Sequence, residues 1–370
     1  MLKFKRKIIL FTKKMFKFNF IIDKETCFTY WVQAMTPWIW SHHNDHIKYY
    51  KSILGSPTEA ERAILIELTT FLQDHPDIQD RGYIWLWKRY RGDPITDEEE
   101  YKFWERVQKV LKNKFEIIWL KEEPLLKAWQ EKLTQYPFEE IEFALQNVAS
   151  FFSLPIDQNK KPNIIEVKLV NKWDIKFASG QAKREFPSLI MLAVSNVQLE
   201  YIIRVVGTLT HEATHLLEYK SLIPHKLFLA SHKKIIAPFG LKINLNPKIK
   251  GPAWRSLITE SIISSIAKGY SMDGYLRKTL SCLRTNAPIV YPTLTGYYLR
   301  IQKAAIKILP ITTDYLSQNK VLDQKYADQV TLIWKELIWS ELTLAGKFQH
   351  WLKFLFHWIK KIFKLFVITK

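Results

Sequence analysis

Thr208-Leu209-Thr210-His211-Glu212-Ala213-Thr214-His215-Leu216-Leu217-Glu218 is the stretch that decides how this chain is read. It lies in an apolar, helix-periodic run from about Val197 to Tyr219 that ends near Pro224. Residues four apart on a helix stack on one face about one turn apart, so the imidazoles of His211 and His215 can reach a single tetrahedral Zn²⁺. Glu212, displaced around the helix, addresses a water at the metal rather than the metal itself.

Upstream of this stretch, Ile164 to Val170 alternates apolar and polar residues as a half-buried strand does, and Leu189 to Val194 is an apolar run of strand length. Downstream, Trp254-Arg255-Ser256-Leu257-Ile258-Thr259-Glu260-Ser261-Ile262-Ile263-Ser264 reads as an apolar helix closed by Gly269, and Glu260 is the only carboxylate between Pro252 and Lys268. A carboxylate on such a helix is costly unless something neutralises it, and a metal would. A catalytic zinc needs a third protein ligand, which Glu260 can provide. Glu218, three residues after His215 on the same face, competes for that role, although one straight helix has difficulty converging three ligands on one ion.

His211-Glu212-Ala213-Thr214-His215 matches the HExxH arrangement of the zincins. The metzincin form needs Gly at position 218 and His at position 221, where this chain has Glu218 and Ser221, and the inverted HxxEH order is absent. With Glu260 downstream, the chain resembles the gluzincins over about residues 164 to 300. That resemblance implies a zincin-like catalytic domain with a small sheet and an active-site helix. It also implies Zn²⁺ held by His211, His215 and Glu260, with Glu212 taking the proton of a water that attacks a peptide carbonyl. Such enzymes commonly add a Tyr or His to stabilise the oxyanion; Tyr291, before Pro292, comes first here, ahead of Tyr270, Tyr297, Tyr298, His225 and His232. The strand Leu189 to Val194 resembles the edge strand along which zincins hold an extended peptide. One departure is Ser264, where gluzincins often carry an Asp that orients a zinc-bound histidine.

From about residue 26 to 153 the pattern is helical and rich in aromatics. Ser56-Pro57-Thr58-Glu59 reads as a capping box opening a helix through about Leu72, and Thr96-Asp97-Glu98-Glu99 as another, opening a helix through about Lys114. Pro124 and Pro137 read as further helix starts. The polar, twice-prolyl stretch from Leu154 to Asn163 is the internal boundary. The expected organisation is therefore a basic amphipathic segment at 1–22, an α-helical accessory domain at 23–155, a zincin-like metallopeptidase domain at 156–346 and a basic aromatic amphipathic helix at 347–370. The fold class is α+β, predominantly helical.

With 47% hydrophobic residues the chain can bury a large core, and its two cysteines, Cys27 and Cys282, exclude a disulfide scaffold or a cysteine-rich zinc site. No P-loop, dinucleotide fingerprint or nucleophile elbow is present. The net charge of +19 is uneven: seven bases and no acid lie in residues 1–22, and six bases and no acid in 347–370. Phe4, Ile8, Phe11, Met15, Phe18 and Ile22 form one helical stripe, and Trp351, Leu355, Trp358, Ile359, Ile362 and Phe366 form another. Both ends read as helices lying in a membrane interface with lysines at anionic headgroups. Neither has an uncharged stretch near the ~20 residues of a span, and the apolar run Ile8 to Phe11 is too short for a signal peptide. Nucleic acid is not expected, because the bases alternate with large apolar residues and no binding motif accompanies them. The expectation is thus a zinc-dependent peptidase acting on a peptide or protein substrate, cytoplasmic and peripheral to an anionic membrane. The alternative is a non-catalytic membrane-surface binding or effector protein with a structural or relic zinc helix.

Overall fold

The computed structural model describes residues 16–36, 44–73, 81–155, 162–172, 178–221, 223–239, 253–271, 296–341, 344, 347–349, 351–356 and 359. These are mostly helical and include a four-stranded mixed sheet, as an α+β chain requires. They cluster into two units: one comprises Phe16–Glu139 and Lys161–Ala213, and the described residues of the other come from Glu140–Lys160 and Thr214–Lys370. The units are not colinear with the segments 23–155 and 156–346, because the N-terminal helices cluster with the sheet.

The sheet contains β1 (Phe16–Ile22), β2 (Asn163–Val170), β3 (Ser179–Lys183) and β4 (Phe186–Ala193) in the order β1-β2-β4-β3. β1 runs parallel to β2, with Phe18 opposite Ile165 and Phe20 opposite Val167. β2 runs parallel to β4, and β3 is antiparallel to β4 with a register shift between Ala182 and Lys183. Phe16–Ile22 is a strand rather than the end of an amphipathic helix: Phe16 and Phe18 are buried while Lys17 and Asn19 are exposed, a period of two. Phe18 and Ile22 fit both periods, and pairing with β2, distant in sequence, selects the strand. The rest of that segment, residues 1–15, lies outside the described residues. β4, which covers all but the last residue of the expected edge strand Leu189 to Val194, is an interior strand. Its continuous burial from Leu189 onward is what a strand covered on both faces shows. Among the described residues the edges are β1 and β3. β3 escapes a hydropathy reading because Ser-Gly-Gln-Ala-Lys has neither an apolar run nor an alternation.

Five helices pack in this unit: α1 (Lys24–Met35), α2 (Asn44–Leu54), α3 (Glu59–Gln73), α4 (Arg81–Arg91) and α5 (Glu98–Thr134). The box opening α3 is Thr58 to Glu61, two residues later than the sequence reading. The Thr58 N–H donates to Glu61 Oε2 at 2.6 Å and the Glu61 N–H to Thr58 Oγ1 at 3.3 Å, a reciprocal cap worth ~1 kcal/mol. α5 begins after Asp97, whose carboxylate accepts from the Glu99 and Glu100 N–H groups. It then runs through Pro124, which the sequence reading made a helix start. Pro124 removes one backbone hydrogen bond. The turns on either side bury Ile118, Trp119, Glu122, Leu126 and Trp129 on one face, which carries the helix across the gap. Trp129 Nε1 donates to the Val197 carbonyl at 2.8 Å and Gln130 Nε2 to the Phe20 carbonyl at 2.8 Å, fastening α5 to the sheet strands and to the loop after β4.

Glu122 sits fully buried on α5 and accepts from Asn171 Nδ2. Burial pushes its carboxyl from an ordinary 4.5 up to about 8, against the opposing pull of Ser195 hydrogen bonding, the Lys121 charge and Asn171. Tyr49, Tyr50 and Cys27 lie close enough for its charge to act on each. The native state therefore keeps a proton that the unfolded chain has released. The contribution of Glu122 to stability falls as pH rises from about 4.5 to about 8, by about 1.4 kcal/mol per pH unit, and is level above that window. Glu122→Gln, which keeps the shape without the ionisation, is expected to gain about 3 to 4 kcal/mol on wild type between pH 5 and pH 8 in urea unfolding. A difference that stays constant with pH would show that Glu122 is ionised in the native state.

The second unit is a helical assembly of α6 (Glu139–Phe151), α8 (Ile223–Ile235), α9 (Ala253–Ser271), α10 (Gly296–Ser317) and α11 (Gln324–Glu341). The helix between them in sequence, α7 (Ile202–Lys220), follows a short 3₁₀ turn at Leu199–Tyr201, close to the expected bounds. α10 carries Pro310 in its interior, and buried Tyr326 on α11 packs edge-on against Phe151 at 5.1 Å. A buried hydroxyl chain links three helices: Ser265 Oγ to Thr312 Oγ1 at 2.9 Å and Thr312 Oγ1 to Tyr326 OH at 2.8 Å. Satisfying one another, these groups are buried without the desolvation cost of unpaired ones.

Candidate metal centre

α7 carries both histidines of the motif, so their relative placement is set by one continuous helix. His215 is buried, and its ring stacks on Tyr219 one turn on, with centroids 5.6 Å apart and planes 29° from parallel. His211, one turn earlier, is half-buried. The third group comes from α9. There Ser261 is buried, donates to the Ile258 carbonyl at 2.8 Å and accepts from Trp334 Nε1 at 3.1 Å. Ile262, Ile263 and Ile266 are buried beside it. These contacts fix the rotation of α9 and leave Glu260 half-buried, with Oε1 3.2 Å from His215 Nε2.

Among the described residues, His211, His215 and Glu260 form a group that can hold a metal ion, with one donor atom from each lying within 4.8 Å of the others. Two imidazole nitrogens and a carboxylate oxygen are a zinc donor set. Ligands about 2.0 to 2.2 Å from a tetrahedral ion lie about 3.3 Å from one another, and the His215–Glu260 separation has that size. The donor types and the His215–Glu260 separation fit Zn²⁺. Glu218 is buried on α7 and is not in the group. The α9 helix extends two residues past Gly269, which the sequence reading took as its end, and Ser264 is buried at the position of the absent Asp.

Glu212 is buried on α7 next to β3. A Cβ built on Gly180 would lie 2.4 Å from Glu212 Cγ, 3.0 Å from Thr208 Cγ2 and 3.1 Å from Glu212 Cδ. Only glycine lets the sheet edge come this close. In the sequence the one signal of Gly180 is a glycine shortly before an apolar strand, which without the fold says nothing about α7. Of the oxyanion candidates, Tyr291 lies outside the described residues, while His225 and His232 are half-buried on α8 and are not in the metal group. Neither a protein-family model, nor a curated protein, nor a solved structure matches this chain.

Proposed function

We propose that the chain is a zinc-dependent peptidase of the gluzincin type, with a zincin-like catalytic domain. The observation that carries this reading is the convergence of His211, His215 and Glu260 from two helices, with Glu212 of the same motif set beside the sheet edge. When bound, Zn²⁺ supplies a Lewis acid for a peptide carbonyl and lowers the pKa of water. His211 and His215 offer neutral nitrogen donors, and Glu260 offers the negative charge that offsets the ion. Glu212 accepts the proton of the attacking water and passes it to the leaving amine. β3 is an edge strand among the described residues, and an edge strand is where an extended peptide adds to a sheet. Tyr291 remains the first choice for the oxyanion donor.

Metal analysis tests the ligand set directly. Wild type is expected to hold about one zinc per chain after dialysis, with His211→Ala and Glu260→Ala losing it and Glu218→Ala keeping it. Zinc retained by both His211→Ala and Glu260→Ala would reduce the His215–Glu260 contact to an ordinary ion pair, and a non-catalytic binding or effector protein would then be the better reading.

A further inference from the structure

We infer that the C-terminal helical stretch is a docking surface for an anionic lipid bilayer. Residues 347–349 and 351–356 are helical, as are 344 and 359. At about 100° per residue, Leu344, Phe348, Trp351, Leu355 and Ile359 fall on one stripe. Leu344 is 87% exposed, Phe348 60% and Trp351 50%, with Phe356 beside the stripe at 62%. Phe354, on the flank, stacks on Phe239 with centroids 4.5 Å apart and planes 12° from parallel, and Phe239 meets Trp339 edge-on. The helix is thus held to the protein by its side while its apolar face is turned to solvent. An ordinary surface helix does the reverse. A contiguous exposed aromatic face marks an interaction site.

Charge identifies the occupant. Residues 342–370 hold six lysines and no Asp or Glu. On the described helix Lys353, which is exposed, falls opposite the stripe, while Lys360 and Lys364 lie outside the described residues. In an interfacial helix the aromatic face enters the headgroup boundary while lysine stems reach up to the phosphates. A second copy would bring two such acid-free stretches together, and residues 1–15, with six bases and no acid, would be repelled in the same way. No described helix is long and apolar enough to cross a membrane.

The test is co-sedimentation of the full chain with phosphatidylcholine vesicles that contain or lack phosphatidylglycerol. Wild type is expected to bind the anionic vesicles roughly tenfold or more tightly than the neutral ones, and to release them at high salt. Phe348→Ser with Trp351→Ser should lower that binding by roughly tenfold or more, and so should Lys353→Glu with Lys360→Glu and Lys364→Glu. Circular dichroism establishes that each variant is folded, and either one alone decides the matter. Equal binding by wild type and a folded variant overturns the inference, as does indifference to phosphatidylglycerol. A dimer in sedimentation velocity that Phe348→Ser with Trp351→Ser dissolves, without vesicle binding by wild type, would assign the face to a second copy and overturn it as well.

Discussion

Glu212→Gln is expected to lower kcat/KM on a quenched fluorescent peptide library by roughly 10²- to 10⁴-fold while leaving the zinc content at the wild-type level. The glutamine side chain has the same length and occupies the same buried position beside β3, but it cannot accept a proton from water. The proposed ligands His211, His215 and Glu260 are untouched, so metal content and hydrolysis are expected to separate. That separation is what distinguishes a general base from a residue that merely supports the helix. Hydrolysis at the wild-type rate in a zinc-loaded Glu212→Gln protein would sink the proposed mechanism.

Gly180→Ala is expected to cost roughly a hundredfold in kcat/KM, with zinc content again unchanged. The new methyl would overlap Glu212 Cγ at 2.4 Å and crowd Thr208 Cγ2 at 3.0 Å, and the Cγ is not a free end that can swing aside. Either β3 moves out or the Glu212 carboxylate moves, and a displacement on the order of 1 Å is enough to misplace a proton acceptor. A double-mutant cycle shows which. If Gly180 acts through Glu212, adding Gly180→Ala to Glu212→Gln produces little further loss, whereas a general loosening of the fold would add to it. Wild-type kcat/KM in Gly180→Ala would remove Gly180 from any part in placing the base.

The readability of these features follows the range of the interactions that create them. His211 and His215 come together because of spacing along one helix, and that spacing is written in the sequence. Glu260 stands out for a related reason, as a lone carboxylate on an apolar stretch, and the structure brings it to within 3.2 Å of His215. Pro124 misleads because the cost of one missing backbone hydrogen bond is local, whereas the compensation, a buried face running from Phe103 to Leu133, is spread over the whole of α5. β1 and β3 are further from reach. β1 has residues that satisfy two periods and is decided by β2, and β3 has almost no apolar content and is decided by β4. Gly180 is hardest of all, since its meaning depends on a helix nearly thirty residues away.

The pairing of β1 with β2 also bears on how the protein is made. Phe16 lies opposite Asn163, so β1 must wait for 147 further residues before its partner exists. At about 5 to 20 residues per second, roughly 7 to 30 s of synthesis separate the two strands. For that interval Phe16-Lys17-Phe18-Asn19-Phe20-Ile21-Ile22 is a β-prone segment without a ladder. The one lysine inside it, and Lys13 and Lys14 just before it, are gatekeepers of the kind that hinder such a segment from pairing with another nascent chain.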